Sequence, residues 1–262
     1  MLPLLQRFRM KKNNWKAYND LAWVDLILSL PDDYIKETEL YCTAMMDQAK
    51  NKIQTLLHLG CGAGMYDYTF KKFFTVTGVD ISQGMLDVAK SLNPDITYLR
   101  GDMRTIKLSE MYDAIAIPDS IGYMVTFEDL EQTILTAHHH LNQGGILLIV
   151  AQMREEFNEN NFVYTGVKDE LNITIFENNH IIDSQKEKYE AVLIYLIRNK
   201  GKLKIYRDRH LIGLFPLATW MTLLKKVGFE VTQKKLTDLY DRFILESGEY
   251  IQTMFVCNKL FK

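Results

Sequence analysis

The chain has 262 residues, of which 47% are hydrophobic and 24% charged, and its 31 lysines and arginines against 33 aspartates and glutamates leave a net charge of −2. This is the composition of an ordinary soluble globular protein, and it excludes a disordered chain, a fibre and a disulfide scaffold. Proteins that bind nucleic-acid duplexes usually carry a strong basic excess, so the balanced charge argues against nucleic acid and favours a small-molecule partner.

Cysteine usage and hydropathy bear on the compartment. The three cysteines include no CxxC pair, which predicts neither a disulfide framework nor a zinc knuckle and makes a reducing cytoplasm the expected location. No apolar stretch reaches the 18 or so residues that a membrane span requires, so the chain is not expected to cross a bilayer.

Residues 1–50 are predicted to form an N-terminal helical cap. Residues 34–50 place apolar side chains at mixed three- and four-residue steps, which predicts an amphipathic helix. The first twenty residues are basic, and two interpretations stay open for them: a transit peptide, or a solvated basic face that closes over an anionic ligand. The basic side chains that precede the first acid, Asp20, are Arg7, Arg9, Lys11, Lys12 and Lys16.

From residue 55 the periodicity changes to short apolar runs, most of which end at a glycine, an aspartate or a turn. Such runs predict buried strands, and they lie at 55–60, 73–80, 96–102, 112–120 and 145–153. Segments of helix length separate them, at 64–72, 83–92 and 127–141, the last ended by Asn142-Gln143-Gly144-Gly145. Strands that alternate with helices predict a parallel sheet with crossover helices.

After residue 153 the pattern shifts to β-branched and aromatic segments separated by turn signals. These predict an antiparallel insertion of about 55–60 residues with a hairpin turn at Asn199-Lys200-Gly201. The alternation then resumes with a helix at 217–227, for which Gly228 is the C-cap signal, and with strands at 229–236 and 250–260.

The first predicted strand runs into the turn Gly60-Cys61-Gly62-Ala63-Gly64. Glycine at alternate positions lets a ligand approach bare backbone, and the N-terminus of the following helix offers free N–H groups to a carboxylate or phosphate. Asp80 follows about 20 residues later, at the end of the second strand, where an acid can accept hydrogen bonds from both hydroxyls of a ribose. The turn and the acid together predict a nucleotide site.

The nucleotide is predicted to be an adenosine rather than a dinucleotide. A dinucleotide loop needs glycine or alanine at position 65, where this chain has Met65. At the end of the third strand, the carboxylate of Asp102 can accept a hydrogen bond from an adenine amino group while Met103 packs on the ring. Three neighbouring strand ends therefore describe an adenosine pocket.

These motifs resemble, in order, those of the class I S-adenosylmethionine-dependent methyltransferases: LHLGCGAG, VTGVDISQGML, YLRGDMRT, YDAIAIPDSIGYM and LNQGGILLI. The terminal GFEV and EYIQTMFVCNK are similar to the last antiparallel pair of that fold. The resemblance implies an α/β fold with a doubly wound, seven-stranded, mostly parallel, Rossmann-like sheet. It divides the chain into a helical cap (1–50), a cofactor-binding core (51–153), an antiparallel β lid (154–215) and the remainder of the core (216–262). The family usually has an acid at the position of His58.

The resemblance also implies which residues bind S-adenosylmethionine and its product S-adenosylhomocysteine. Gly60, Gly62 and Gly64 would approach the methionine portion, Asp80 the ribose, and Asp102 with Met103 the adenine. The other cofactor-binding residues that it implies are Cys61, Ile81, Met85, Gly101, Pro118 and Tyr18.

Within the family, the closer likeness is to small-molecule N-methyltransferases, such as the amino-sugar N,N-dimethyltransferases, the toxoflavin-type methyltransferases and glycine N-methyltransferase. It rests on Tyr18-Asn19-Asp20-Leu21, Asp33-Tyr34, Asp119-Ser120-Ile121-Gly122-Tyr123 and the segment from Arg209 to Phe215. The likeness implies methyl transfer to a nitrogen of a heterocyclic or amine acceptor under the lid. The amino-sugar enzymes typically have histidine at the place of Tyr123, so a sugar acceptor is not implied.

Methyl transfer from a sulfonium is an in-line displacement, so alignment, desolvation and fixed dipoles contribute more than a reactive side chain does. A nitrogen acceptor still needs a free lone pair, and a group that holds or removes a proton serves that need. The catalytic candidates are Tyr18, Tyr123, His210 and Asp119. The substrate-binding candidates are Tyr18, Trp23, Tyr34, Tyr123 and His210.

Other interpretations stay open. An O-methyltransferase would use the same cofactor pocket with a weak base, and a non-catalytic regulatory subunit would keep the pocket alone. Either a monomer or a homodimer is expected. No metal site is predicted, because the consecutive residues His138, His139 and His140 point about 100° apart on a helix and cannot converge on one ion.

Overall fold

The structure is a computed structural model that describes residues 15–182 and 187–261. Of the predicted basic segment, Arg7, Arg9, Lys11 and Lys12 lie outside these residues, and Lys16 is exposed. Within the described ranges, no helix has both the length and the apolar character needed to cross a membrane.

The N-terminal segment contains short helical pieces that pack between two sheets. A 3-10 turn (Ala22–Val24) leads into helix α1 (Asp25–Leu28), and a second turn (Pro31–Tyr34) leads into α2 (Ile35–Gln48). Leu21 and Val24 pack on the antiparallel sheet, while Ala22 packs on Met65 beside the glycine turn. The segment therefore contacts both halves of the molecule.

The remaining elements follow in chain order. They are β1 (Thr55–Leu59), α3 (Asp67–Phe70), β2 (Thr75–Asp80), α4 (Gln83–Leu92), β3 (Thr97–Arg100), β4 (Tyr112–Pro118), α5 (Phe127–His140), β5 (Leu141–Ala151), β6 (Asn160–Lys168), β7 (Leu171–His180), β8 (Lys188–Asn199), β9 (Lys202–Gly213), α6 (Leu217–Val227), β10 (Phe229–Leu236) and β11 (Gln252–Lys259).

Seven strands of the described chain form a central sheet in the order β10-β11-β5-β4-β1-β2-β3. Strands β1 to β5 run parallel, and β11 lies antiparallel between β5 and β10. Helices α2, α3 and α4 cover one face, and α5 and α6 cover the other, each over its own apolar cluster. The chain order reverses between β1 and β4, and in such sheets ligands bind at the carboxyl ends of the strands beside this point. The predicted fold class is confirmed.

A second sheet of four antiparallel strands follows, in the order β6-β7-β8-β9. In β7 and in the second half of β9, buried or half-buried side chains largely alternate with more exposed neighbours, as the two-residue period of a strand predicts. The hairpin between β8 and β9 turns at Lys200 and Gly201, with φ of 47° and 75°. Positive φ at both positions matches the right-handed twist of the strands, and this is the predicted hairpin turn.

Two predicted boundaries differ from the structure. The helix expected at 64–72 is reduced to the four residues of α3, because the preceding turn continues through Gly64, whose φ of 75° is incompatible with a right-handed helix. The Asn142–Gly145 stretch expected to follow α5 as a turn lies inside β5 instead. Strand β5 accommodates it with a register irregularity opposite β4, at Tyr112/Ala114, and with Gly144 at φ 71°.

Candidate functional site

The turn after β1 presents bare backbone at the carboxyl edge of the central sheet. Gly60, Gly62 and Gly64 have φ of 72°, 53° and 75°, a region that side chains rarely adopt. The N–H of Gly60 donates to the carbonyl of Val79 at 2.7 Å, which ties the turn to β2. A Cβ added at Gly62 would meet no atom within 4 Å, so the space beside this residue is open to a ligand.

Asp80, the last residue of β2, holds this turn and keeps capacity for a ligand. Its two carboxylate oxygens accept one backbone N–H each, from Gly62 at 2.9 Å and from Ser82 at 2.8 Å. Since each oxygen of an ionised carboxylate has two lone pairs, acceptor sites are left for a ribose diol. The side chain is half-buried, and burial raises its pKa despite these hydrogen bonds. Asp80 and the glycine turn that it holds therefore fit the ribose of S-adenosylmethionine.

A buried network supports the turn at His58, where the sequence departs from the motif that it resembles. Nδ1 of His58 lies 2.6 Å from Oδ1 of Asp67, and the hydroxyl of Tyr98 donates to the other oxygen of Asp67 at 2.9 Å. The amide of Asn93 donates to the carbonyl of Gly64 at 2.9 Å. Asp67 thus places a carboxylate beside the position where the family usually has an acid. Sequence reasoning missed it, since nothing in a four-residue helix marks that contact.

The acid at the end of β3 is already paired. Arg104 donates to Asp102 through Nη2 at 2.6 Å and Nε at 3.0 Å, and it contacts Asp129 at 2.7 Å. Burial acts to raise the pKa of Asp102, but the hydrogen bonds and charge of Arg104 outweigh it, and this pKa lies below its usual value. Asp102 is therefore an ionised and oriented acceptor, and its contact with adenine stays a prediction.

The other predicted cofactor residues surround these strand ends. A Cβ at Gly60 would come within 2.8 Å of Cε of Met103, so this methionine lies directly against the turn. Cys61, Met85 and Pro118 are buried, while Gly101, Ile81 and Met103 keep accessible surface.

A chain of polar contacts joins three residues that the sequence singled out. The hydroxyls of Tyr18 and Tyr123 are hydrogen-bonded, and Oη of Tyr123 lies 2.7 Å from Nδ1 of His210. The other ring nitrogen of His210 lies 3.1 Å from Oδ2 of Asp208, an ion-pair contact without the alignment of a hydrogen bond. We call Tyr18, Tyr123, His210 and Asp208 the polar array.

The N-terminal segment ties the polar array to both sheets. The N–H of Ala17 donates to Oδ2 of Asp208 on β9 at 2.8 Å, and the hydroxyl of Ser82, the N-cap of α4, donates to the carbonyl of Tyr18. A Cβ at Gly84 would come within 2.7–2.9 Å of backbone atoms of this segment. The array is therefore held close to Asp80, whose charge acts on Tyr18.

An aromatic side chain covers the polar array. The ring of Trp15 stacks on His210 at 5.5 Å between centroids, with an interplanar angle of 14°, and lies 4.8 Å from the ring of Tyr123. This contact shields the imidazole from solvent, and His210 itself is 2% exposed.

The enclosed environment favours uncharged forms in the array. Burial lowers the pKa of His210, although Asp208 opposes this effect. Burial likewise raises the pKa of Tyr18 and of Tyr123 above the usual range for tyrosine. A neutral imidazole carries one N–H; if that proton is assigned to Nε2, facing a carboxylate that can only accept, Nδ1 accepts from the hydroxyl of Tyr123.

Asp119 lies outside the polar array. Its φ is 57°, and its carboxylate accepts from the hydroxyl of Tyr66 at 3.3 Å and from the amide of Gln252. Burial raises the pKa of Asp119 to about 7, and the charge of Glu37 adds to this effect. Asp119, the predicted orienting acid, thus belongs to a second group of contacts. We call Asp119, Gln252, Tyr66 and Glu37 the acidic cluster.

The two remaining substrate candidates lie in different surroundings. Tyr34 packs edge-to-face on Tyr66, with centroids 5.2 Å apart, and so joins the acidic cluster. Trp23 lies on the first 3-10 turn and is 38% exposed, which places much of its ring at the surface.

Sequence reasoning missed several acids that face this region: Asp25, Glu37, Glu177 and Asp208. One signal was available, since Asp208 precedes His210 by two residues in a strand and so shares its face. The other three lie on α1, α2 and β7, and nothing in the sequence indicates that these elements approach one another.

Two of the three consecutive histidines on α5 pack within the fold, and His139 is exposed. His140 contacts the carbonyl of Thr136 through Nδ1 at 2.8 Å, and its Nε2 accepts from the N–H of Leu108 at 2.9 Å. The ring of His138 packs edge-to-face on Phe229. Across residues 15–182 and 187–261, no group of three His, Cys, Asp or Glu side chains is arranged to hold a metal ion.

Comparisons with known proteins agree with this geometry. A family model of the methyltransferase domain matches residues 56–145. The chain is 27% identical over 180 residues to dTDP-3-amino-3,4,6-trideoxy-alpha-D-glucopyranose N,N-dimethyltransferase of Streptomyces venezuelae, covering 68% of this chain and 76% of that protein.

Two solved structures share the fold at low identity. DesVI of Streptomyces venezuelae superposes with a TM-score of 0.76 at 22% identity, covering 92% of this chain and 96% of that one. The sugar N-methyltransferase KedS8 of Streptoalloteichus sp ATCC 53650 gives a TM-score of 0.76 at 19% identity, covering 92% of both chains.

The matched domain spans β1 to the start of β5, and so includes the glycine turn, Asp80 and Asp102. With the strand order of the central sheet, this match confirms the resemblance that the motifs carried. The chain contains the domain of an S-adenosylmethionine-dependent methyltransferase, and its motifs and strand order are similar to those of the class I enzymes.

Proposed function

We propose that this enzyme transfers the methyl group of S-adenosylmethionine to an amine nitrogen of a small molecule held between the two sheets. The observation that carries the proposal is the polar array, which combines two tyrosine hydroxyls with a buried imidazole. An ammonium must lose a proton before its nitrogen can attack, and such an array offers a route for that proton. The related protein named an N,N-dimethyltransferase supports nitrogen as the acceptor atom.

S-adenosylmethionine supplies, when bound, an electrophilic methyl group on a sulfonium. The backbone of Gly60 to Gly64 would hold the methionine portion, Asp80 the ribose, and Asp102 with Met103 the adenine. The open space beside Gly62 and the free lone pairs of Asp80 support this placement.

The roles within the polar array follow from its proton balance. An acceptor amine would donate to the oxygen of Tyr18, whose proton passes to Tyr123, and the proton of Tyr123 passes to Nδ1 of His210. Asp208 would stabilise the imidazolium that results, 3.1 Å from its other nitrogen. Trp15 and the antiparallel sheet, which we propose acts as the lid, would exclude water during the transfer.

The setting of the enzyme is part of the same proposal. We place it in the cytoplasm as a monomer or homodimer that acts on a small molecule and not on nucleic acid. Cys42, Cys61 and Cys257 are free and buried, which supports a reducing compartment.

The proposal is tested by product identification. The enzyme is incubated with S-adenosylmethionine and a panel of amines, amino sugars and matched alcohols, and mass spectrometry locates the added methyl group. We expect N-methyl products. The substitution His210→Asn should lower kcat/KM by about 10²–10⁴-fold, the range for a lost proton acceptor, without changing cofactor affinity.

The variant Asp208→Asn gives a second readout. Removing the carboxylate removes the influence that raises the pKa of His210, so the acidic limb of the pH profile of kcat/KM should move to lower pH. The matched control for His210→Asn is His180→Asn, which replaces an exposed histidine of β7 that is paired with Glu159. Methylation only at oxygen, or parental turnover of His210→Asn, would refute the proposal.

A further inference from the structure

Four buried residues that lie outside the glycine turn form one hydrogen-bonded chain that ends on it. His58, Asp67, Asn93 and Tyr98 are each no more than 6% exposed. They come from β1, α3, the C-cap of α4 and β3, and their contacts end at the carbonyl of Gly64. We call these four residues the turn network.

The direction of the hydrogen bonds in the turn network follows from the chemistry of its members. The carboxylate of Asp67 only accepts, so the hydroxyl of Tyr98 donates its single proton to it, at 2.9 Å. The oxygen of Tyr98 is then an acceptor, and Nδ2 of Asn93 donates one of its two hydrogens to it at 3.2 Å. The second hydrogen is left for the carbonyl of Gly64, at 2.9 Å. The hydroxyl of Tyr98 therefore decides which way the amide of Asn93 faces.

Packing fixes the position of that hydroxyl. Tyr98 is the register partner of Gly78 on β2, and a Cβ at Gly78 would come within 2.5 Å of two ring atoms of Tyr98. A Cβ at Gly64 would come within 2.7 Å of the hydroxyl oxygen of Tyr98 and 3.0 Å of Nδ2 of Asn93. The phenol thus fills the space that two missing side chains leave.

The turn network anchors the end of the glycine turn. The start of the turn is tied to β2 by a backbone hydrogen bond, and its middle is tied to Asp80 by the N–H of Gly62. At the end of the turn, the carbonyl of Gly64 accepts from the N–H of Tyr68 at 3.2 Å and, more closely, from Asn93. Asp80 therefore holds the turn from the proposed ribose side, and the turn network holds it at the other end.

We propose that Tyr98 is a positioning residue for the methyl donor, which acts through Asn93 and Gly64 to preset the turn for the methionine portion of S-adenosylmethionine. The inference rests on the proposed placement of the cofactor and goes beyond it to residues buried behind the turn. A turn that is already in its binding conformation loses less entropy when the ligand binds. Because the adenosine portion would contact Asp80 and Asp102 instead, the effect of Tyr98 is confined to the amino-acid end of the cofactor.

The test compares two ligands by calorimetry. S-adenosylhomocysteine carries both ends of the cofactor, whereas 5′-methylthioadenosine keeps the adenosine and the sulfur but lacks the amino acid. The substitution Tyr98→Phe keeps the ring and removes only the hydroxyl. We expect it to weaken S-adenosylhomocysteine binding about tenfold, the effect of one buried hydrogen bond, and to leave the affinity for 5′-methylthioadenosine within about twofold of the parent's.

Two further variants separate this role from a loss of folding. Asn93→Leu removes the amide that carries the contact, so it should show the same split between the two ligands, and it carries the test if Tyr98→Phe does not fold. The double variant should bind S-adenosylhomocysteine no more weakly than the weaker single variant, because both changes break one path to Gly64. The matched control is Tyr112→Phe, which removes the hydroxyl of a buried tyrosine at the start of β4, 3.4 Å from Glu110, and should keep the parental affinity for both ligands.

The outcomes separate this inference from the proposed function. The inference is wrong if Tyr98→Phe keeps the parental affinity for S-adenosylhomocysteine, or if it weakens both ligands by the same factor, since a role in folding alone would affect them alike. It is also wrong if the effects of the two single variants add. Methylation only at oxygen would refute the proposed function and leave the role of Tyr98 standing, whereas equal weakening of both ligands would refute that role and leave the transfer to nitrogen unaffected.

Discussion

Asp80 is the residue on which the proposed cofactor site depends. Its carboxylate accepts N–H groups from the glycine turn and from the start of α4. Replacing it with alanine removes both hydrogen bonds and the diol acceptor, each worth about 1.5–3 kcal/mol for a charged group. We therefore expect Asp80→Ala to weaken S-adenosylmethionine binding by at least about 10²-fold in calorimetry.

The exposed surface acid Asp95 supplies the control for that measurement. Asp95→Ala removes a carboxylate of the same size from a surface ion pair with Lys71 and should leave the dissociation constant unchanged. A dissociation constant of Asp80→Ala within about tenfold of the parent's would contradict the assignment of the ribose site.

Asp119 makes the stability of the fold depend on pH. Its pKa is about 7 in the folded protein, above the ordinary value of 3.8, because the carboxyl is enclosed. Between those values the folded state holds a proton that the unfolded state releases, so this group lowers stability as pH rises from about 4 to 7.

The variant Asp119→Asn should therefore be more stable than the parent at pH 8 but not at pH 4. We expect a gain on the order of 1 kcal/mol, reduced from the full linkage because solvent reaches the carboxyl. Asparagine also tolerates the left-handed φ of 57° at this position. Urea unfolding at both pH values checks the sign, with the exposed Asp47→Asn as control; a loss of stability at pH 8 would show that the carboxylate is structurally required.

At the scale of elements, the start of α4 positions the N-terminal segment that carries Tyr18. Alanine at a helical glycine normally stabilises by about 0.5–1 kcal/mol. At Gly84 a Cβ would come within 2.9 Å or less of the backbone of Tyr18 and Asn19, which no side-chain rotation relieves. We expect Gly84→Ala to lower both the melting temperature and kcat.

Gly248→Ala is the comparison for that variant. The nearest atom to a Cβ there lies at 3.8 Å, an ordinary contact, so this change should be neutral or stabilising. If Gly84→Ala and Gly248→Ala have the same melting temperature and turnover, the N-terminal segment that carries Tyr18 does not depend on close packing against α4.

Sequence periodicity located the strands better than the turns. Buried strands consist of continuous apolar runs that no loop would tolerate, and β1, β2, β4 and β5 lie within or over the predicted runs. The helix predicted at 64–72 is only the four residues of α3 in the structure. Gly64 has a positive φ and packs against Asn93 and Tyr98, and local propensity does not report those contacts.

At the scale of the whole molecule, the site is assembled between two sheets. The central sheet supplies Asp80, Asp102 and Asp119 at its carboxyl edge, and the antiparallel sheet supplies Glu177, Asp208 and His210 from alternate positions of two strands. The N-terminal segment lies between them and donates Tyr18. The proposed cofactor residues therefore lie on the central sheet, and the proposed proton acceptor His210 lies on the antiparallel sheet.

The sequence by itself singled out the residues proposed to bind the cofactor, because its glycines, Asp80 and Asp102 lie at the ends of consecutive strands. It also singled out Tyr18, Tyr123 and His210, which the structure brings into one polar array. Only the tertiary structure decided how the acids of the proposed acceptor half are placed. Glu37, Asp119 and Glu177 come from three distant elements, and the side chains that enclose a charge become visible only when those elements pack together.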